Sequence, residues 1–239
     1  MLTRRMLPAL VPSLMLTRTA RSQTPTSLQL VLAVDASGSV NMPRFVLQKD
    51  GYAAAFRDPA VQSAIRNTST GSIAAMMLQW TGPAMQTIAV DWTLVDGPPA
   101  AEAFATAIDA APRELFGGGT SISGAIDFSA NQFPRCPFPA ERRTIDISGD
   151  GANNRGRRAD LARDQAVAAG LVINGLPILE LEPWLDSYYR DHVIGGDGSF
   201  LIAAATFEEF ARAIRRKLIT EIAGSRALFG GTAPAAGPT

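Results

Sequence analysis

The sequence is poor in the residues that bind soft or borderline metals, with one cysteine, Cys136, and one histidine, His192, among 239 residues. A single cysteine cannot form a disulfide within the chain, and thiolate zinc sites and iron–sulfur clusters need several cysteines. Centres built from two or three histidines are excluded for the same reason. Any bound metal must therefore be held by oxygen, which favours Mg²⁺, Mn²⁺ or Ca²⁺.

Excess charge is also absent, because 22 lysines and arginines balance 22 aspartates and glutamates. This balance provides no basic surface for nucleic acid, so we expect no nucleic-acid partner. Hydrophobic residues make up 46% of the chain and charged residues 18%, a composition that argues against disorder and predicts a buried core.

The first 22 residues have the three parts of an export signal. Arg4 and Arg5 form a basic start, residues 6–16 an apolar run, and residues 20–22 a small-residue cleavage site. A membrane-spanning helix needs about 18 apolar residues, and no apolar run in the mature chain reaches that length. We therefore expect no transmembrane segment in the mature chain. The sequence thus predicts a signal peptide over residues 1–22 and an exported protein, periplasmic or secreted. The paired arginines also fit a twin-arginine signal, and a basic N-terminal arm or a transit peptide is the alternative to export.

Apolar runs of strand length alternate with helical patterns along the rest of the chain. Six strands are predicted, at residues 28–34, 72–80, 85–95, 142–148, 171–178 and 199–204. Five helices are predicted, at residues 43–57, 98–110, 120–132, 156–169 and 206–223. The pattern predicts an α/β, Rossmann-like doubly wound fold, with a mostly parallel six-stranded sheet flanked by helices and one antiparallel edge strand. We expect one domain over residues 26–223 and a flexible tail over residues 224–239.

Three oxygen-rich loops stand where such a sheet binds ligands, beyond the carboxyl ends of its strands. Asp35, Ser37 and Ser39 follow the first strand at alternate positions, Thr120 follows three glycines at a helix start, and Asp150 follows the fourth strand. Each loop alone is also explained as a helix cap or a turn. Together they place five oxygen-bearing side chains at one edge of the sheet.

This set resembles the metal-ion-dependent adhesion site (MIDAS) of the von Willebrand factor type A domain family, whose pattern is Asp-x-Ser-x-Ser, then Thr, then Asp usually followed by Gly. The stretches IDISGDGANNRG and INGLPIL are similar to an uncharacterised bacterial branch of that family. The resemblance implies that Asp35, Ser37, Ser39, Thr120 and Asp150 bind Mg²⁺, or else Mn²⁺ or Ca²⁺. It further implies a non-enzymatic adhesion or interaction domain, in which an Asp or Glu carboxylate of a protein partner completes the coordination of the cation.

Two alternatives stay open: an interaction module in which the metal only stabilises loops, and a metal-dependent hydrolase. Phosphotransferases of the haloacid dehalogenase type need a second acid two residues after the nucleophile, where this chain has Ser37. A serine hydrolase would have to use His192, for which the sequence shows no paired nucleophile.

Asp146 departs from the apolar pattern of the fourth strand. A carboxylate buried in a strand needs a compensating partner. The partners expected for it are Arg142, Arg143 or Arg163. The tryptophans, expected to serve in packing, are Trp80, Trp92 and Trp184.

Overall fold

The computed structural model describes residues 24–224, which form five β-strands and seven α-helices. The strands are β1 (Thr26–Asp35), β2 (Ile73–Trp80), β3 (Gln86–Val95), β4 (Ala140–Gly149) and β5 (Val172–Pro177). The helices are α1 (Met42–Arg57), α2 (Pro59–Arg66), α3 (Pro98–Ala110), α4 (Ile122–Ala130), α5 (Ala159–Ala168), α6 (Leu185–Tyr188) and α7 (Phe210–Ala223). The predicted signal peptide and the predicted tail beyond Gly224 lie outside the described residues.

The strand order β3-β2-β1-β4-β5 places β1 at the centre of the sheet. β1 pairs in parallel with β2 and β4, β4 pairs in parallel with β5, and β3 pairs antiparallel with β2 at one edge. These pairings confirm the mostly parallel, doubly wound sheet with an antiparallel edge strand. The winding direction reverses between β1 and β4, so the carboxyl ends of these two strands meet at the topological switch point.

The prediction of a sixth strand at residues 199–204 is wrong, because the sheet of the described residues has five strands. This segment makes only isolated bridges, from Leu201 to Gly175 and from Ala204 to Ile178. The side-chain oxygen of Asn174 accepts the N–H of Phe200 at 2.9 Å, which takes a backbone donor away from a regular ladder. The segment therefore runs beside β5 without becoming a strand.

Local capping explains where two helices differ from expectation. Helix α4 starts at Ile122, two residues later than expected, because Ser121 is its N-cap and accepts the N–H of Gly124 at 3.1 Å. Helix α2 was not predicted. It starts where the Asp58 side chain accepts the N–H of Ala60 at 2.8 Å.

Helices cover both faces of the sheet, as the apolar strand sequences require. Along β1, Leu30 and Leu32 pack into the cluster formed with α1, α2, α3 and α7, whereas Val31 and Ala33 pack into the cluster on the side of α4 and α5. Every residue of β1 is buried. None of the helices within residues 24–224 is long and apolar enough to cross a membrane.

The buried Asp146 has a lysine partner, so the expectation of an arginine partner is wrong. Lys217 Nζ of α7 lies 2.6 Å from Asp146 Oδ1 and 3.3 Å from Glu221 Oε2, and both Lys217 and Asp146 are wholly buried. The three arginines donate instead to backbone carbonyls, of Glu221 and Ile222 (Arg142), Ala169 (Arg143) and Asp191 (Arg163). The face of β4 that carries Asp146 lies against α7, and it is this packing that brings Lys217 to the carboxylate.

Candidate metal centre

The turn after β1 draws three of the predicted side chains together. Asp35 is the last residue of the strand, and its Oδ1 accepts the backbone N–H of Ser37 at 2.7 Å. Ser37 Oγ lies 3.3 Å from Ser39 Oγ. Asp35 and Ser37 are buried, while Ser39 is half-buried and follows the exposed Gly38. The loop therefore faces solvent on the side of Ser39.

Asp150 joins this group from the neighbouring strand. It directly follows β4, which pairs with β1 through the register partners Val34 and Ser148. Ser39 Oγ donates a 2.6 Å hydrogen bond to Asp150 Oδ1. The two loops are thus in direct contact at the switch point of the sheet.

Thr120 reaches the same place from the loop before α4. Its backbone N–H donates to Asn154 Oδ1 at 2.9 Å, and its carbonyl accepts the N–H groups of Asn154 at 2.9 Å and Arg155 at 3.2 Å. Thr120 Oγ1 lies 3.8 Å from the position that a Cβ on Gly151 would occupy. Residues 117–119, which lead the chain to Thr120, have positive φ angles of 77°, 90° and 83°, which glycine adopts without strain.

The structure therefore links four of the five predicted residues through direct contacts, and it places Thr120 beside Gly151, the residue after Asp150. Within residues 24–224, no group of three or more His, Cys, Asp or Glu side chains is placed to hold a metal. Two carboxylates alone are few for a hard cation, which prefers six or more oxygens. A metal at this position would depend on the three hydroxyls as well.

The two carboxylates are in an environment that suits a cation. Burial, and then repulsion from Asp150, raise the pKa of Asp35 to about 7. Burial also raises the pKa of Asp150. Oδ2 of Asp35 and Oδ2 of Asp150 are buried and have no hydrogen-bond partner among the described residues. Buried charges are ordinarily paired or coordinate a metal, so these oxygens fit a divalent cation.

Two arginines that the sequence motifs did not indicate hold the backbone of the first loop. Arg113 donates to the carbonyl oxygens of Ala36 at 2.9 Å and Ser37 at 3.2 Å, and Arg44 donates to that of Ser39 at 3.1 Å. Both lie outside the oxygen-rich loops, and nothing in their local sequence signals this role. Their contacts fix the direction in which the loop presents its hydroxyls.

Exposed apolar side chains flank the same edge of the sheet. Phe116, four residues before Thr120, is 60% exposed, and its ring lies 4.7 Å from the Arg113 guanidinium. Trp184, in the segment after β5, is 53% exposed, so the expectation that it serves in packing is wrong. Its hydrophobicity favoured burial, but in the structure its ring makes a T-shaped contact with the ring of Tyr188 and stays largely exposed.

Comparisons with known proteins give a family and a fold. Residues 25–226 match the family model described as "Protein of unknown function (DUF1194)". No curated protein matches the chain by sequence.

Several solved structures share the fold at low sequence identity. Proximal thread matrix protein 1 from the mussel byssus is 14% identical with a TM-score of 0.61, over 84% of this chain and 49% of that one. The chain thus spans about half the length of the mussel protein, which has also been solved with a zinc-occupied MIDAS motif. BatB from Bacteroides thetaiotaomicron is 15% identical with a TM-score of 0.54, over 82% of this chain and 99% of that one. A von Willebrand factor type A structure from Catenulispora acidiphila is 15% identical with a TM-score of 0.51, over 83% of this chain and 43% of that one.

Proposed function

Because the chain belongs to the DUF1194 family and has the fold of a von Willebrand factor type A domain, we propose that it is a divalent-cation-dependent protein-binding domain. The observation that carries the proposal is the meeting of two buried carboxylates, each with an unpartnered oxygen, and three hydroxyls at the switch point of the sheet. The proposal makes the chain a binding protein and not an enzyme.

Asp35, Ser37, Ser39, Thr120 and Asp150 would hold the cation, with Mg²⁺ as the expected ion and Mn²⁺ or Ca²⁺ as the alternatives. Three of these ligands are neutral hydroxyls, so the two ionised carboxylates only balance the charge of a divalent ion. When bound, the cation would supply a Lewis-acidic position for an Asp or Glu carboxylate of the partner. The chain's own contribution is to hold the loops: Arg113 and Arg44 fix the carbonyls of the first loop, and the Ser39–Asp150 hydrogen bond joins it to the third.

The exposed aromatic residues beside the centre support a protein as the partner. Phe116 and Trp184 each present more than half of their surface to solvent. Aromatic residues are enriched in protein interfaces, where they contribute much of the binding energy. A partner loop with a carboxylate flanked by apolar side chains would match the centre and its surroundings.

We further propose that the protein acts outside the cytoplasm, in the periplasm or after secretion. The support is the tripartite pattern of residues 1–22. The proposal predicts that protein purified from the exported fraction begins near residue 23. N-terminal sequencing of that material tests it, and an N-terminus at Met1 would contradict it.

Calorimetric titration of the protein with Mg²⁺, Mn²⁺ and Ca²⁺ tests the metal centre. The parent should bind at least one of these ions, and Asp35→Ala should bind none. Asp164→Ala is the matched control, because its carboxylate is 65% exposed and lies on α5. Equal heats from the parent and Asp35→Ala would contradict the proposal.

A pair of small probes separates partner recognition from a loop-stabilising role of the metal. N-acetyl-aspartate amide carries the proposed carboxylate, and N-acetyl-asparagine amide is its neutral counterpart. Nuclear magnetic resonance should show Mg²⁺-dependent binding of the first only, and Thr120→Ala should abolish that binding while the fold is kept. If the metal binds but neither probe does, the metal only stabilises the loops. Turnover of p-nitrophenyl phosphate or acetate would instead favour the hydrolase.

A further inference from the structure

Three buried polar groups meet on the interior side of the candidate metal centre, at Gly149. A Cβ at this glycine would lie 2.8 Å from Asp35 Oδ2, 3.0 Å from Tyr189 Oη and 3.2 Å from Trp80 Cζ2. Trp80 Cζ2 is bonded to the ring carbon that carries the indole nitrogen. One carboxylate oxygen, one phenol oxygen and one indole ring therefore approach the same point.

Gly149 is required here for space and not for its backbone conformation. It is the last residue of β4, and its φ is not among the positive glycine angles of residues 24–224. Any L-residue can adopt a strand conformation, but a Cβ 2.8 Å from a carboxylate oxygen is closer than ordinary van der Waals contact allows. The missing side chain lets Asp35, Tyr189 and Trp80 all approach the backbone of Gly149 closely.

None of the three polar atoms around this space has a partner among the described residues: Asp35 Oδ2, Tyr189 Oη and Trp80 Nε1. All three side chains are wholly buried. Buried hydroxyl and N–H groups are hydrogen-bonded in nearly all proteins, so three unpartnered ones together indicate a common partner. The structural context also marks Tyr189, because it begins the π-helix Tyr189–Val193, and π-helical turns occur frequently at functional sites.

The separation of the two oxygens suits one bridging water molecule. Since Asp35 Oδ2 and Tyr189 Oη lie 2.8 and 3.0 Å from one common point, they are less than about 6 Å apart, a span that a single water can bridge. Such a water would accept from the Tyr189 hydroxyl and the Trp80 N–H and donate to Asp35 Oδ2. These three hydrogen bonds are the usual number for a buried water.

We propose that Tyr189 is a positioning residue of the metal centre, whose hydroxyl holds the Asp35 carboxylate through one buried water in the space beside Gly149. The inference rests on the proposed function and adds a residue on the interior side of the metal centre. Asp35 Oδ1 is held by the N–H of Ser37, so both carboxylate oxygens gain a fixed partner. An ionised carboxylate has about four acceptor positions, which leaves positions free for the cation.

The first test compares metal affinity by calorimetry. Outer hydrogen-bond partners of metal ligands contribute about 10–100-fold to affinity, so Tyr189→Phe should weaken binding about tenfold or more. Tyr52→Phe is the matched control, because Tyr52 is equally buried and its hydroxyl contacts Ser148 Oγ at 3.2 Å. The metal affinity of Tyr52→Phe should equal that of the parent. Equal affinity of Tyr189→Phe and the parent would overturn the inference.

Gly149→Ala tests the space itself. The added methyl group would lie 2.8 Å from Asp35 Oδ2 and 3.0 Å from Tyr189 Oη, so it should disrupt the water bridge between them and weaken metal binding about as much as Tyr189→Phe does. In the double variant the loss should be no greater than in either single variant, because both act on one hydrogen-bonded water. Additive losses would show that the two residues act separately, which contradicts the proposal.

A metal-free measurement separates this inference from the proposed function. The chain has three tyrosines, so labelling with 3-fluorotyrosine gives three fluorine resonances that single Tyr→Phe variants assign. Without metal, Asp35→Asn and Gly149→Ala should each shift the Tyr189 resonance and leave that of Tyr52 in place. An unmoved Tyr189 resonance would overturn the inference even if the parent binds metal. A parent that binds no metal would overturn the proposed function, and the resonances would still show whether Tyr189 is coupled to Asp35.

Discussion

Ser39 Oγ donates a 2.6 Å hydrogen bond to Asp150 Oδ1 across 111 positions of sequence. The two residues follow β1 and β4, the adjacent parallel strands at which the sheet changes direction. Of the contacts within the candidate centre, this one joins its two most distant sequence motifs directly. Asp150 Oδ2 has no partner among the described residues.

Removing this hydroxyl should affect both the fold and the metal. We expect Ser39→Ala to weaken metal binding at least about tenfold, since a ligand and the partner of a second ligand are lost together. The free energy of unfolding of the metal-free protein should fall by about 1–3 kcal/mol, because the hydrogen bond is made to a carboxylate. Calorimetry and urea unfolding measure the two effects. Ser187→Ala, at an exposed serine, should change neither, and unchanged metal affinity in Ser39→Ala would contradict the assignment.

The raised pKa of Asp35 predicts opposite pH dependences with and without metal. Its pKa rises from 3.8 to about 7 on folding, so between these values the folded protein holds a proton that the unfolded chain has released. The contribution of Asp35 to stability is therefore complete below about pH 4 and lost as the pH rises through about 7. Metal binding needs the ionised carboxylate, so affinity should fall as the pH drops below about 7.

Urea unfolding of the metal-free protein at pH 5 and pH 8 measures the first effect, and calorimetry at the same two pH values measures the second. In Asp35→Asn, the difference in stability between the two pH values should be smaller than in the parent. Asp164→Asn, which changes an exposed carboxylate, should behave like the parent. A parent that binds metal more tightly at pH 5 than at pH 8 would contradict the expected linkage.

The buried pair of Asp146 and Lys217 should be sensitive to the loss of one partner. Removal of one charge from a buried pair costs about 3–5 kcal/mol, so Lys217→Met should lower the free energy of unfolding by that amount. Asp146→Asn combined with Lys217→Met should recover part of the loss, because Asp146 then carries no unpaired charge, whereas Glu221 keeps its charge and only the 2.6 Å hydrogen bond from Asn174. Urea unfolding compares these variants with Arg215→Ala, which breaks a more exposed ion pair with Asp58 and should cost about 1 kcal/mol or less. If Lys217→Met and Arg215→Ala lower the free energy of unfolding equally, burial does not determine the cost of breaking these ion pairs.

Asn154 should act on the metal through Thr120. Its side-chain oxygen accepts the N–H of Thr120 at 2.9 Å and so fixes the loop that presents the threonine hydroxyl. Asn154→Ala should weaken metal binding about tenfold, within the range found for outer-shell partners, and Asn131→Ala, at the exposed end of α4, should not. Combining Asn154→Ala with Thr120→Ala should add little further loss, because Asn154 acts through Thr120. Calorimetry of these four variants measures the metal affinities that test both expectations.

The fold was predictable from the chain because its strands are long apolar runs separated by helical patterns. The parallel sheet, its antiparallel edge and the placement of helices on both faces all follow from that alternation. The segment at residues 199–204 misled the prediction because its apolar residues fit a strand, and what decides a strand is the pairing of its backbone. A side chain from β5, Asn174, takes the N–H of Phe200 that a ladder would need.

The candidate site, like the fold, could be predicted only in part from the sequence. Asp35, Ser37 and Ser39 were recognisable because their spacing is local. Thr120 was recognisable because it follows three glycines at a predicted helix start, and Asp150 because it follows a predicted strand. Arg113, Tyr189 and Lys217 carried no such signal, since each acts across a distance in sequence that only packing closes.

The sequence by itself determined the class of the sheet and the oxygen chemistry of its carboxyl edge, because strand periodicity and residue type are local properties. Only the tertiary structure decided which charge meets Asp146, which hydroxyl meets Asp150, and which buried phenol lies behind Asp35. Those pairings depend on how helices and strands from distant parts of the chain pack against one another. The packing follows the summed apolar contacts of the whole core, so no short segment of the sequence encodes it.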